Sequence, residues 1–368
     1  MGKKIVIITS PFGCIPPHAI GAVEKLWFQI GGVWKNQTHK VTYIAKKPVA
    51  QVVDENIYLK GYDRTGSLVK DLLLDFIYSL KALFKSPKAD YAVLNTFWTP
   101  LLLPFFNWKY KRTIYNVARF PKNQMGFYQA VDILACVSSP VCKAVIEQSP
   151  SVANKVVVVP NPIDKEIYNT LTPMTLSDKT KIVYMGRVNR EKGIELLVKA
   201  VDIIRKVHDV SLTIIGPTSI DLGGSGESYV KELNSYCSDW GIDWVSPIYD
   251  PIQLANIMSS GQIFCYPSLA EKGETFGVSP LEAMGLGMVP VVSDLDCFKD
   301  FIQDGVNGFV FNHRQENAHV ELANILIHII TSKEKFKDIS ANAIATSCKY
   351  DVATIAEQYM KLLQVECS

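Results

Sequence analysis

The chain has 368 residues, 38 Lys+Arg against 36 Asp+Glu, and an apolar share of 48%. That length suits two domains, each able to bury a core, and charged (20%) and aromatic (10%) shares of this size exclude wholesale disorder. The net charge of +2 conceals an asymmetry: residues 1–160 hold 20 Lys/Arg and 9 Asp/Glu, net +11, and residues 161–368 hold 18 and 27, net −9. A half so basic points to an anionic surface or ligand.

In chain order, Lys4–Thr9 reads as a buried strand, Gly13–Pro17 as a loop and Ile20–Val33 as a helix. Val41–Ala45 is a strand, Leu68–Phe84 has helical apolar spacing, and Tyr91–Asn95, Thr113–Val117 and Ile133–Val137 are short apolar strands. The helix Pro140–Gln148 and the strand Val156–Val159 close this series at Pro160-Asn161-Pro162. After a stretch at Lys165–Lys179 without apolar periodicity the pattern restarts. Strands are expected at Lys181–Met185, Ser211–Ile215, Trp244–Ser246, Ile263–Tyr266, Pro290–Ser293 and Gly308–Val310. Helices are expected at Gly193–Lys206, Ser228–Trp240, Pro251–Ser259 and Ser279–Gly285, with Ile220–Ser228 a mobile loop. Continuous Val/Ile runs between helices are the pattern of parallel sheets covered on both faces. The expected fold is therefore α/β, two doubly wound Rossmann-like domains facing each other across a cleft. The first is expected over residues 1–164 and the second over 165–345, with 346–368 a final helix packing back toward the first.

No Cys-x-x-Cys pair or zinc-like Cys/His grouping occurs among the eight cysteines, which fits a reduced compartment, and Ile5–Ile8 is too short for a signal core. The expected location is the cytoplasm, at the inner face of the membrane if the basic half meets lipid. Tyr91 to Trp108 runs 18 residues without a charge but includes Pro100, Pro104 and several polar residues. A buried strand followed by a short helix explains it better than a membrane span.

Two constellations carry chemistry. Gly186-Arg187-Val188-Asn189-Arg190-Glu191-Lys192-Gly193 lies on a strand-to-helix turn, where free backbone N–H groups favour anions. Arg187 and Lys192 there suit a diphosphate, although solvated loop charges give the same pattern. Glu271-Lys272-Gly273-Glu274-Thr275-Phe276-Gly277-Val278-Ser279-Pro280-Leu281-Glu282 follows a strand and enters a helix. With Ser279 as N-cap, Glu282 reads as the far side of a capping box; Glu274 precedes the helix in a loop and has a weaker structural explanation. Both carboxylates can accept bonds from sugar hydroxyls, and Gly277 permits close backbone approach. Asp294-Leu295-Asp296 has the form of a metal-binding Asp-x-Asp but reads as turn formers, so no metal is expected.

On these residues the chain resembles the retaining, nucleotide-sugar-dependent glycosyltransferases of family 4 (group 1), with the GT-B fold. The marks are Gly186-Arg187 with Lys192-Gly193, Ile214-Ile215-Gly216, the Glu274/Glu282 pair, Ala283-Met284, Gly287, Pro290-Val291 and Asn307-Gly308. Pro16-Pro17 through Gly21-Ala22-Val23-Glu24 is similar to the family's Gly-Gly loop after the first strand. The resemblance implies that Arg187 and Lys192 neutralise the donor diphosphate and the leaving nucleotide. It implies that Glu282 holds the ribose and that Glu274, with the backbone at Phe276-Gly277, holds the donor sugar. Gly13, Gly21, Gly186 and Gly216 would line the donor site. No cofactor is implied, because the nucleotide sugar is a substrate.

The chain departs from the family at Gly21-Ala22, where Gly-Gly is common, and no His stands at an N-terminal strand end. His18, Asn116 and Arg119 are the candidates for acceptor or sugar contact. The nine acids of the first half form no nucleophile motif, so front-face attack is expected, with a donor phosphate oxygen taking the acceptor proton. The expected reaction moves a sugar, from a UDP-sugar in preference to a GDP-sugar, to a glycan or lipid-linked acceptor in cell-surface polysaccharide or glycoconjugate synthesis. Lys81, Lys85 and Lys88 beside Phe76, Leu80, Leu83 and Phe84 point to peripheral contact with anionic membrane; the scattered cations make no nucleic-acid motif. A nucleotide-sugar epimerase and a non-catalytic sugar-nucleotide-binding subunit are the rival readings.

Overall fold

The computed structural model describes residues 2–17, 22–48, 55–237 and 239–365. The chain divides into two compact units: Met1–Pro162 with Val352–Ser368, and Ile163–Asp351. The first holds strands β1 (Lys4–Ile8), β2 (Lys40–Lys46), β3 (Ile57–Leu59), β4 (Ala89–Leu94), β5 (Tyr110–Val117), β6 (Ile133–Cys136) and β7 (Val156–Val158). Its helices are α1 (Ala22–Asn36), α2 (Leu68–Lys85), α3 (Thr99–Leu102) and α4 (Ser139–Gln148). The second unit holds β8 (Thr180–Met185), β9 (Val210–Ile215), β10 (Asp243–Val245), β11 (Ile263–Tyr266), β12 (Val289–Ser293) and β13 (Phe309–Phe311). Its helices are α5 (Ile194–Ile204), α6 (Glu227–Ser235), α7 (Pro251–Met258), α8 (Val278–Gly285), α9 (Ala318–Thr331) and α10 (Lys333–Ser347). A last helix, α11 (Val352–Gln364), belongs to the first unit.

Each unit is one parallel sheet. The orders are β3-β2-β1-β4-β5-β6-β7 and β10-β9-β8-β11-β12-β13. Strand order reverses between β1 and β4 in one sheet and between β8 and β11 in the other. At such switch points the loops beyond the strand carboxyl ends diverge and leave room for a ligand. Central strands are mainly apolar because helices cover both faces; β12 is buried at all five positions.

The first unit closes its core with the end of the chain. Val352, Ile355, Ala356, Tyr359, Met360 and Leu363 form one helical stripe of α11, buried against Trp27, Ile30 and Trp34 of α1. The Trp34 indole donates to the Ala356 carbonyl at 3.0 Å, and the Trp27 and Tyr359 rings lie 4.9 Å apart. Trp27 and Trp34 from α1 and Tyr359 from α11 make this a large apolar seam.

Helix α2 is built differently. Its inward face carries Asp71, Asp75 and Ser79 beside Tyr78, Ala82 and Leu83, and its outward face carries Leu68, Val69, Leu73 and Phe84, all exposed. The inward carboxylates have backbone work. Asp71 accepts from Thr65 N at 2.9 Å and Oγ1 at 2.8 Å, and Asp75 from Phe97 N at 2.9 Å and Trp98 N at 3.2 Å. Ser79 Oγ donates to Thr96 Oγ1 at 2.8 Å, and the Trp98 indole donates to Leu72 O at 2.8 Å. The polar face of α2 thus holds the loop beyond β4.

Most strands and helices lie within a few residues of the sequence expectation. The short edge strand β3 and the helices α9 and α10 were not foreseen. Helix α6 stops at Ser235 instead of Trp240, and the expected loop at Ile220–Ser228 contains a 3-10 turn, Ile220–Leu222, and the start of α6. Among the described residues no helix is long and apolar enough to cross a membrane. Residues 91–108 are β4, α3 and two single 3-10 turns.

Burial raises the Asp75 carboxyl to about 6, against the opposing bonds from Trp98 and Phe97 and the charge of Arg64. Its unfolded value is near 3.9, so between about pH 4 and 6 the folded chain binds a proton that the unfolded chain releases. Stability contributed at this site therefore falls as pH rises through that window. Asp75→Asn keeps an accepting oxygen and removes the titration. Its urea midpoint relative to the parent is expected to rise from pH 4.5 to pH 7; a constant difference would contradict the assignment.

Candidate active site

The site begins with two glycines. Beyond β8 and β9, Gly186 N donates to Ile215 O and Gly216 N to Val245 O, both at 3.0 Å. Gly216 has φ +146°, and a Cβ there would overlap the Gly186 carbonyl. The two strand-end loops nest this closely only with glycine at that position. The Tyr184 hydroxyl then fixes the Arg187 carbonyl at 2.9 Å, and a 3-10 turn, Arg190–Lys192, leads through Gly193 into α5.

Arg187 is half exposed and pairs with Glu191 at 3.1 Å. Lys192 is buried. Its Nζ donates to Glu274 Oε2 at 2.6 Å and lies 5.3 Å from the centre of the Tyr266 ring. The Tyr266 hydroxyl donates to the same carboxylate oxygen at 3.1 Å. Burial, followed by the Glu274 charge, holds the Tyr184 and Tyr266 phenols well above their ordinary range, so both remain donors. Glu274 is brought to Lys192 by the loop after β11. Leu269 N donates to Glu191 O at 2.8 Å, and Glu274 N to Ala270 O at 2.9 Å. Lys192 and Glu274, 82 positions apart, thus meet across the switch point between β8 and β11. Removing one partner of such a buried pair typically costs about 3–5 kcal/mol, because the other charge is left without compensation.

Helix α8 starts from Gly277, whose φ is +89° and whose missing Cβ is occupied by the Phe298 ring. The capping box expected at Ser279 and Glu282 is not formed. Gly277 is the N-cap, Ser279 lies inside the first turn with its hydroxyl 3.5 Å from Met185 Sδ, and Glu282 is released from capping. Glu282 is buried beside the Tyr168 hydroxyl, which burial and this carboxylate hold far above its ordinary range. The Phe276 ring packs with Phe301 at 5.2 Å and Tyr350 at 6.0 Å, so this residue offers a ligand its backbone only.

In the first unit, Gly13 faces the Glu24 carboxylate, which fills the space of a Cβ, and Ser10 Oγ donates to that carboxylate at 3.3 Å. Asn116, at the end of β5, is 5% exposed, and among the described residues neither its Oδ1 nor its Nδ2 has a partner. A buried carboxamide without a hydrogen bond is costly, which makes Asn116 the irregular position of this strand end. Arg119 follows on the exposed side of the strand end. His18 and Gly21 lie outside the described residues.

Residues 174–346 match the model of the family described as glycosyl transferases group 1. The second unit is a group 1 glycosyl transferase domain. Over 224 residues the chain is 25% identical to the phosphatidyl-myo-inositol mannosyltransferase of Mycobacterium tuberculosis, covering 59% of this chain and 56% of that one. It is 25% identical over 239 residues to the lipopolysaccharide 1,2-N-acetylglucosaminetransferase of Salmonella typhimurium, covering 62% and 61%. The chain thus spans less than two thirds of the length of these relatives. Among solved structures, Anabaena Alr3699/HepE in complex with UDP and glucose superposes with a TM-score of 0.72 at 20% identity, over 98% of this chain and 99% of that one. Sucrose-phosphate synthase of Thermosynechococcus elongatus gives 0.76 at 17% identity, over 98% of both. The fold is GT-B.

The glycosyl transferase domain has two features that sequence reasoning missed. One is an open hollow of about 440 Å³ beyond β9 and β10, lined by Gly216, Thr218, Glu227, Trp244 and Ser246 among others. Gly216 was the only signal for it, since Trp244–Pro247 has no motif of its own. The other is a clamp on the loop that carries Glu274. Glu271 receives Arg314 Nε at 2.8 Å and Nη2 at 3.0 Å, and His313 Nε2 lies 3.1 Å away. The Arg314 bonds hold the Glu271 carboxyl below its ordinary range. Arg314 also reaches Asp294 at 3.3 Å, and Lys299 pairs with Asp294 at 3.0 Å and Asp296 at 2.9 Å. The Asp294-Leu295-Asp296 carboxylates therefore serve this ion-pair network.

A bidentate Arg fixes a carboxylate in direction as well as position. Arg314→Ala is expected to speed amide hydrogen exchange at Leu269–Glu274 at least tenfold, with the sheet amides of β11 and β12 unchanged. Unchanged exchange across the loop would show that the clamp does not order it.

Proposed function

We propose that the chain transfers a sugar from a nucleotide-sugar donor to a glycan or lipid-linked saccharide, with retention of configuration, in the synthesis of cell-surface polysaccharide or glycoconjugate. The observation that carries this reading is the Lys192–Glu274 pair, 2.6 Å long with side chains only 8% and 12% exposed, with Arg187 on the same loop. A buried lysine at a switch point, held by a carboxylate, suits an anion that arrives and competes for it. In this reading the donor diphosphate takes Lys192 and Arg187, and Glu274 turns to the hydroxyls of the sugar. Glu282 holds the ribose hydroxyls, with Tyr168 keeping its carboxylate oriented. The nucleobase enters the hollow at Thr218 and Trp244–Ser246. Asn116 and Arg119 meet the acceptor or the transferred sugar.

The leaving nucleotide gains negative charge as the glycosidic bond to phosphate breaks. Two fixed cations and the first N–H groups of α8 stabilise that charge without reorganisation. The same groups supply what a divalent cation would, so turnover is expected to be equal with and without chelator. The acceptor oxygen forms its bond to the anomeric carbon on the face the leaving phosphate vacates, and its proton passes to a phosphate oxygen. The preference for a UDP-sugar is supported by the UDP complex of Alr3699/HepE, and a lipid-borne acceptor by the phosphatidyl-myo-inositol and lipopolysaccharide enzymes among the relatives. A peripheral place on anionic membrane agrees with the net charge of +11 in residues 1–160, 20 Lys/Arg against 9 Asp/Glu.

The test is a panel of nucleotide sugars, with nucleotide release and product followed together. Release coupled to transfer with retained anomeric configuration is expected; an isomerised donor would make the chain an epimerase, and no turnover a binding subunit. Lys192→Ala and Arg187→Ala should each lower kcat by about 10²–10³-fold, the scale of losing one fixed transition-state donor. Glu274→Ala should impair sugar use more than nucleotide binding, and Glu282→Ala the reverse. Full turnover in both cation variants would remove the donor-site assignment.

A further inference from the structure

Helix α2 turns two aspartates and a serine inward and leaves a line of apolar side chains on its outward face. Val69, Leu73 and Phe84 lie on one line of the helix, each more than half exposed, with Phe76, Ile77 and Leu80 half buried between them. At 1.5 Å rise per residue the line from Val69 to Phe84 runs over about 22 Å. At its end the surface continues onto the next segment. The Phe84 and Phe106 rings meet edge to face at 5.0 Å, and Phe105 and Trp108 beside them are more than half exposed. This segment is pinned to α2 by buried Lys109, whose Nζ donates to Leu83 O at 2.7 Å, Phe84 O at 3.0 Å and Ser86 O at 2.7 Å. A lysine on the last carbonyls satisfies the helix end and fixes Phe105 and Trp108 relative to Phe84.

The charge on this surface has one sign. Lys70, Lys81, Lys85 and Lys88 are exposed, and Lys88 Nζ lies 4.9 Å above the Trp108 ring. The acids of residues 68–88 are Asp71 and Asp75, both buried on the inward face and bonded to backbone N–H groups. Exposed Phe, Leu and Trp flanked by lysines, with no exposed acid, is the composition of a surface that enters the headgroup layer of an anionic bilayer. Lysines lay their stems along apolar surface and keep the ammonium among the headgroups. A protein partner fits less well, since lysine is depleted in protein interfaces.

We propose that the outward face of α2, continued by Phe105 and Trp108, is the docking surface of this chain for an anionic lipid bilayer. The proposal deepens the membrane-borne acceptor in the reading above and names the surface. Docking has two separable parts: the lysines supply salt-sensitive attraction, and Phe84, Phe105 and Trp108 supply salt-resistant insertion. The inward face of the same helix holds the Phe97–Trp98 backbone through Asp75, so the bilayer contact and the end of β4 share one rigid element.

The test is co-sedimentation of the full chain with vesicles of phosphatidylcholine alone and with 30% phosphatidylglycerol, at 0.05 and 0.5 M NaCl. Binding is expected with the anionic vesicles, and a fraction of it should survive high salt. Lys81→Glu/Lys85→Glu/Lys88→Glu should weaken binding at low salt by about 100-fold or more, as roughly 1 kcal/mol per lysine implies. Phe84→Ser/Phe105→Ser/Trp108→Ser should abolish the salt-resistant fraction. Both variants change exposed side chains, and their far-UV spectra and urea midpoints are checked against the parent. Absence of parent binding to anionic vesicles would overturn the proposal, as would parental binding by both variants. Self-association through this face in light scattering, without vesicle binding, would overturn it in favour of a second copy. Vesicle binding does not depend on turnover. Transfer to a soluble acceptor without vesicle binding rejects the surface and keeps the function, and the converse rejects the function alone.

Discussion

The second unit is organised around one buried ion pair. Lys192 comes from the loop after β8 and Glu274 from the loop after β11, and these strands flank the point where the sheet reverses its order. Burying two charges is expensive and is compensated only by close, fully bonded geometry. The surroundings meet that requirement: Tyr266 adds a hydrogen bond to the carboxylate, and the backbone bond from Leu269 to Glu191 joins the two loops. The Glu271–Arg314 clamp holds the outer end of the same loop. Packing hydrophobic residues there would serve stability equally well. A salt bridge in that place is better explained by a charged ligand that exchanges with one of its partners.

Much of this was legible in the residues. Alternating Val/Ile runs and helical stripes give both sheets, because a strand buried on two faces has little freedom of composition. Lys192 and Glu274 were legible as candidates because each stands at a strand-to-helix turn, but their 2.6 Å contact was not, since 82 residues separate them. Glu282 was read as part of a capping box because Ser279 has the right spacing. The left-handed Gly277 starts the helix two residues earlier and leaves that carboxylate to Tyr168. The hollow beyond β9 and β10 has no local signature, being lined by residues far apart in the chain, from Gly216 to Pro247. Short β3 and the helices α9 and α10 have compositions that periodicity alone does not single out.

In the first unit the informative features are places where ordinary burial rules are broken. Asn116 is buried with neither polar atom bonded among the described residues, and α2 buries aspartates while exposing leucine and phenylalanine. The first irregularity is the position proposed to meet a ligand group, and the second is the face proposed to dock on an anionic bilayer. The basic excess of the N-terminal half, which composition reveals without locating it, is in part the lysine border of this one helix.

The central claim is that Lys192 is held by Glu274 until a diphosphate replaces it, and calorimetric binding of UDP, GDP and ADP tests it most directly. One of these nucleotides should bind the parent; Lys192→Ala should weaken that binding by tenfold or more. Glu274→Ala, which frees the lysine, should leave the affinity equal or higher. Equal affinity of the parent and Lys192→Ala, or a loss with Glu274→Ala as large as with Lys192→Ala, would contradict the account.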